Sequence, residues 1–106
     1  MSVSETEKID SMGISGDGDT LTLLITDHLD WENEAEHLLL LQEKINAYLG
    51  FIESAQYTDA YPDAVFDHYV IDLRCKYKAT DKCLEFLEVI NTQLREHSIQ
   101  VLLHEV

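Results

Sequence analysis

Basic residues are scarce: seven Lys and Arg stand against 21 Asp and Glu, a formal net charge of −14 in 106 residues. A field of that sign repels phosphate backbones and anionic headgroups and attracts basic proteins, so neither nucleic acid nor a membrane is expected as a direct partner. No apolar run exceeds residues 38–41, too short to span a bilayer. The opening MSVSETEK has neither a basic start nor an apolar stretch, so a cytoplasmic protein without a secretory signal is expected. Four Gly and one Pro argue against disorder, and 45% hydrophobic residues suffice for a single core. Cys75 and Cys83 are too few for a disulfide framework, and no second pair or nearby histidine makes them a zinc site. Buried, reduced thiols are expected.

The charge is unevenly placed. Residues 1–67 carry 15 acids against Lys8 and Lys44, a balance of −13, whereas residues 68–106 carry six acids against five bases, a balance of −1. Uniform acidity would serve solubility alone; lopsided acidity fits a directed surface.

Residues 1–7 are polar and expected to fray, which leaves one domain over 8–106. A weak strand over 8–15 has Ile9, Met12 and Ile14 as its large apolar groups, and residues 16–19 (GDGD) then read as a hairpin turn. In TLTLLITD, Leu21, Leu23 and Ile25 alternate with mostly polar neighbours, as in a strand with one apolar face. Asp30 is the expected N-cap of a long helix over 31–55. Leu38, Leu41, Ile45, Tyr48, Leu49 and Ile52 fall on one of its faces, and Leu40, Ala47 and Phe51 form a narrower stripe nearly opposite. A loop over 54–64 contains Pro62. The strand HYVIDLRCKY follows, with Tyr69, Ile71, Leu73, Cys75 and Tyr77 on one side. Thr80 caps a second helix to about His97, with Leu84, Leu87, Ile90 and Leu94 inward, and IQVLLHEV closes the chain as a strand. The order ββαβαβ, with strands apolar on one face only, predicts an α+β two-layer sandwich. Right-handed crossovers would place both helices on one side of a four-stranded mixed sheet.

Motifs that carry chemistry are few. Glu34 and His37 form a single E-x-x-H spacing, but bundle di-metal sites need two copies and further carboxylates, so no metal is expected. The GDGD turn lacks the later ligands of a calcium loop and the lysine of a phosphate loop. His28, His68, His97 and His104 lie in no nucleophile motif, and neither an enzyme nor a cofactor is expected.

The segment QYTDAYPDA has a different character. Tyr57 and Tyr61 alternate with Asp59 and Asp63 where no periodic apolar pattern buries them. Exposed aromatics flanked by carboxylates would suit a basic cleft, with Asp30, Glu32, Glu34 and Glu36 steering the approach; the alternative is that the tyrosines tuck back onto sheet or helix. The stripe Leu40, Ala47 and Phe51 offers a self-association surface. A monomer is favoured over a homodimer, because a binding protein must keep its surface free. Trp31 is expected to fix the start of the long helix against the core.

Residues 18–54, GDTLTLLITDHLDWENEAEHLLLLQEKINAYLGFIES, resemble a small bacterial family of unknown function. The resemblance rests on a short hairpin, a tryptophan-started helix and a Leu-Gln-x-Lys-Ile-Asn-x-Tyr segment, here Leu41, Gln42, Lys44, Ile45, Asn46 and Tyr48. It carries no catalytic residue across. In size, charge and lack of a catalytic motif the chain is similar to immunity proteins of contact-dependent growth inhibition and other polymorphic toxin systems. That similarity implies an inhibitor that binds a basic toxin domain, a nuclease for example. The other readings are a self-associating adaptor domain and a small metal-dependent enzyme built on Glu34 and His37.

Overall fold

A computed structural model describes residues 9–15 and 18–105. The expected fraying of 1–7 and the first half of the GDGD turn lie outside those residues. The chain runs β1 (Ser11–Ser15), β2 (Thr20–Asp27), α1 (Glu34–Glu53), β3 (His68–Cys75), α2 (Asp81–Leu94) and β4 (Ile99–Glu105). Short 3-10 turns, Gln56–Asp59 and Arg95–His97, follow the two helices. The sheet order is β1-β2-β3-β4, with β1 antiparallel to β2 and the other two pairings parallel. This is the expected α+β fold.

The registers explain why one face is dry. Leu21, Leu23 and Ile25 stand opposite Tyr69, Ile71 and Leu73, which in turn stand opposite Ile99, Val101 and Leu103. Since successive side chains alternate, these rows share one face, and both helices close over it in a single apolar cluster. At the hairpin, Gly18 adopts φ +90° and donates its N–H to Ser15 O at 3.3 Å. Glycine takes that conformation without a Cβ clash.

The helix boundaries move from their expected places for local reasons. Asp30 does not cap α1; its side chain accepts from Glu32 N–H in a turn of its own. The cap is Asn33, whose Oδ1 accepts from Glu36 N–H at 3.2 Å while its Nδ2 donates to Glu36 Oε2 at 3.0 Å. The first bond is an N-cap, and the second ties the Asn33 side-chain amide in place against Glu36. Thr80 caps α2 as expected, accepting from Cys83 N–H. Its inward stripe is Cys83, Leu87 and Leu94, while Leu84 is 45% exposed. β3 ends at Cys75, so Tyr77 leaves the sheet and is 43% exposed.

The buried face of α1 is His37, Leu41, Lys44, Ile45, Tyr48 and Ile52. The spacing is helical, but two members are ionisable, and each is held by partners across the fold. Leu40, Ala47 and Phe51 are half-buried, and Leu40 and Phe51 pack on the core, so this stripe is not a free apolar patch.

Candidate functional site

The topology turns an imbalance along the chain into an imbalance in space. Residues up to 67 build β1, β2, α1 and the connection to β3, while the near-neutral remainder builds β3, α2 and β4. In the acidic part, Lys44 is the only lysine or arginine among the described residues, and it is fully buried. Its Nζ donates to Asp10 Oδ1 at 2.9 Å, and the other Asp10 oxygen accepts from Thr26 N–H at 3.1 Å. Asp30, Glu32, Glu36, Glu43, Glu53, Asp59, Asp63 and Asp67 are all exposed. The result is that, among the described residues up to 67, the exposed charged side chains other than histidine are all carboxylates.

Apart from Glu43, midway along α1, these acids fall into two groups at opposite ends of the helix. Asp30, Glu32, Glu34 and Glu36 gather where β2 ends and α1 begins, with Glu34 half-buried. Asp59 and Asp63 belong to the connection beyond the far end of the 20-residue helix, about 30 Å away. The hairpin tip joins this second group: Asp19 O accepts from Asp67 N–H at 2.8 Å and from His68 N–H at 3.2 Å.

The connection is itself folded. After Ala55, at φ 58°, the chain enters the 3-10 turn, and Tyr61 N–H donates to Tyr57 O at 2.9 Å. The Tyr57 ring lies edge-on to Phe66 at 5.5 Å, and its hydroxyl is 3.0 Å from that of Tyr69. Tyr61 also meets Phe66 edge-on, at 6.4 Å. Both tyrosines are half-buried, tucked back towards the sheet, and burial followed by the Tyr57 hydroxyl pushes the Tyr69 phenol up to about 12. Phe66, which has no periodic neighbours to announce it, organises the cluster. The apolar group left outside is Val65, 83% exposed and flanked by Asp63 and Asp67.

In the interior, Asp27 is engaged with His37 and Cys75, and Asp10 with Lys44. His37 Nδ1 lies 2.9 Å from Asp30 O and Nε2 lies 2.5 Å from Asp27 Oδ2. A carbonyl only accepts, so Nδ1 carries a hydrogen, while Nε2 is paired with the carboxylate. Neither nitrogen is left for a metal or a substrate proton. The Trp31 indole stacks on the imidazole at 3.7 Å, which ties the chain just before α1 to the helix. Cys75 Sγ contacts Asp27 Oδ2 at 3.8 Å. Burial first, then the Asp27 charge, pushes the Cys75 thiol up to about 12 and the Cys83 thiol up to about 11. Thiols held protonated are poor nucleophiles. His28, His68, His97 and His104 are exposed.

The chain belongs to DUF6572, a family of unknown function whose model matches residues 1–106. Neither the comparison with curated proteins nor that with solved structures gives a match.

Proposed function

We propose that this domain is an immunity-type inhibitor that binds a basic toxin domain and neutralises it. The observation that carries the reading is the acid-rich surface of β1, β2, α1 and the connection to β3, where the single described Lys is withdrawn into the core. Nuclease-type toxins present positive clefts because they hold phosphates, and opposite charge accelerates encounter with such a cleft. The contact centre in this reading is the connection to β3. Asp59, Asp63 and Asp67 supply charge there, Val65 supplies an exposed apolar group, and Tyr57 and Tyr61 stiffen the segment from beneath. The helix-start acids Asp30, Glu32, Glu34 and Glu36 act at longer range as steering charges.

The test is growth rescue combined with binding. Where a toxin domain is encoded next to this chain, co-expression of the two should restore growth, and the purified pair should associate more slowly as salt is added. A toxin that kills equally well with the chain present, with no complex formed in low salt, would sink the proposal.

A further inference from the structure

An open four-stranded sheet has two edges, and each exposes backbone groups to pairing by another chain. β4 is one of them, bonded among the described strands to β3 alone. Tyr69 N–H donates to Ser98 O at 2.9 Å, so along β4 the even-numbered residues turn their backbone groups towards β3. Ile99, Val101 and Leu103 turn theirs outward. Val101 displays this directly: its N–H donates to Asn91 Oδ1 at 2.7 Å, and its C=O accepts from Asn91 Nδ2 at 3.0 Å. One side-chain amide from α2 thus makes the two bonds that a residue of a fifth strand would make. It does so one residue from the middle of β4.

The ground beside this edge fits a second copy of the same chain. Leu84 and Leu102 are exposed, and a groove lined by Leu84, Glu88, Asn91, Arg95, Val101 and Leu103 runs between α2 and the strand. Residues 68–106 have a balance of only −1, so two copies meeting here would keep their acidic parts apart. Glu88 and Arg95 line the groove about two turns apart, and a two-fold axis would turn the acid of each copy towards the base of the other.

We infer that the free edge of β4 is a latent self-pairing surface for a second copy of this chain, held closed in the monomer by Asn91. Antiparallel pairing of two β4 strands across a two-fold axis would join the sheets into one of eight strands. Val101 lies next to the centre of that pairing, so Asn91 must release it first.

The test compares the wild-type chain with Asn91→Ala by analytical ultracentrifugation over a wide concentration range, with circular dichroism to establish folding. The wild type should sediment as a monomer and Asn91→Ala should shift to the dimer value as concentration rises. Adding Leu103→Pro, which removes an outward N–H that β3 does not use, should return the variant to monomer. If Asn91→Ala does not fold, Asn91→Leu fills a similar volume without either bond and should dimerise in its place. A folded variant that stays monomeric at every concentration overturns the inference, as does a dimer indifferent to Leu103→Pro. A wild-type chain that already dimerises overturns the closing role of Asn91.

Discussion

Asp10 and Tyr48, 38 residues apart, are joined by a bond from the Asp10 backbone N–H to the Tyr48 hydroxyl at 2.8 Å. That hydroxyl in turn donates to Leu24 O on β2, and Lys44, one turn earlier on α1, holds the Asp10 carboxylate. The residue just before β1 is therefore fastened to helix and sheet by polar bonds in the interior. Lys44 and Tyr48 belong to the same Leu-Gln-x-Lys-Ile-Asn-x-Tyr segment, so that segment has a structural task.

Removing one side of this buried pair should be costly. Lys44→Met leaves the Asp10 carboxylate, held among the described residues by Thr26, without its buried counter-charge and should lower the unfolding free energy by about 3–5 kcal/mol. Lys44→Met combined with Asp10→Asn removes both charges and should recover a large part of the loss. Urea titration of the single and double variants checks this, and equal losses in both would show that the charge itself is not the cause.

Stability should fall in alkali. The unfolded thiols titrate near 9, whereas the native Cys83 and Cys75 thiols are held up to about 11 and about 12, chiefly by burial. Between those values the unfolded chain binds fewer protons than the native one, so the unfolding free energy declines as pH rises from about 9 to 12 and is flat in this respect below 9. The Tyr69 phenol, held up to about 12, adds to the decline above 10. Denaturant titrations at increasing pH should show the slope, and Cys75→Ala with Cys83→Ala should flatten it between 9 and 10.

His37 should behave as a structural residue. His37→Ala leaves the buried Asp27 carboxylate with only neutral donors, Leu29 N–H and the Cys75 thiol, among the described residues, and removes the stacking partner of Trp31, at a cost of about 3–5 kcal/mol. Nitrogen-15 spectra of the wild type should show Nδ1 carrying a hydrogen. A His37→Ala variant of unchanged stability would refute the structural assignment.

With a cognate toxin domain in hand, the two acid groups should separate kinetically. Asp59→Ala should mainly speed dissociation, costing about 1–3 kcal/mol if it is an anchor. Tyr61→Ala should do the same, and since it also removes a ring from Phe66, its unfolding free energy must be measured beside its binding. Neutralising Glu32, Glu34 and Glu36 together should slow association, an effect that salt erases. Unchanged dissociation in the first two variants, with faster dissociation in the third, would reverse the roles assigned to the two ends.

What the sequence displayed was what is local. Leu21, Leu23 and Ile25, then Ile71 and Leu73, alternate within their own strands, so the sheet and the side its helices cover were legible. The start of α1 differs from the local signal because Asp30, a good capping residue by type, lies three residues before Asn33, the residue whose side chain meets the free N–H of Glu36. His37 and Lys44 are polar by type and become core residues only because Asp27 and Asp10 meet them across the fold. The same holds for Tyr57 beneath the connection and for Asn91 at the edge of β4: their partners, Tyr69 and Val101, lie 12 and 10 residues away, beyond any periodic pattern.

The stacking of Trp31 on His37 gives the molecule a built-in optical reporter. Trp31 is the sole indole, and it sits at the start of α1, whereas Tyr57, Tyr61 and Tyr69 gather at the opposite end. A ligand seated on the helix-start acids would perturb indole emission. One seated on the far connection would leave that emission quiet while changing the tyrosine signal, so unlabelled protein in a fluorimeter can tell which end is occupied.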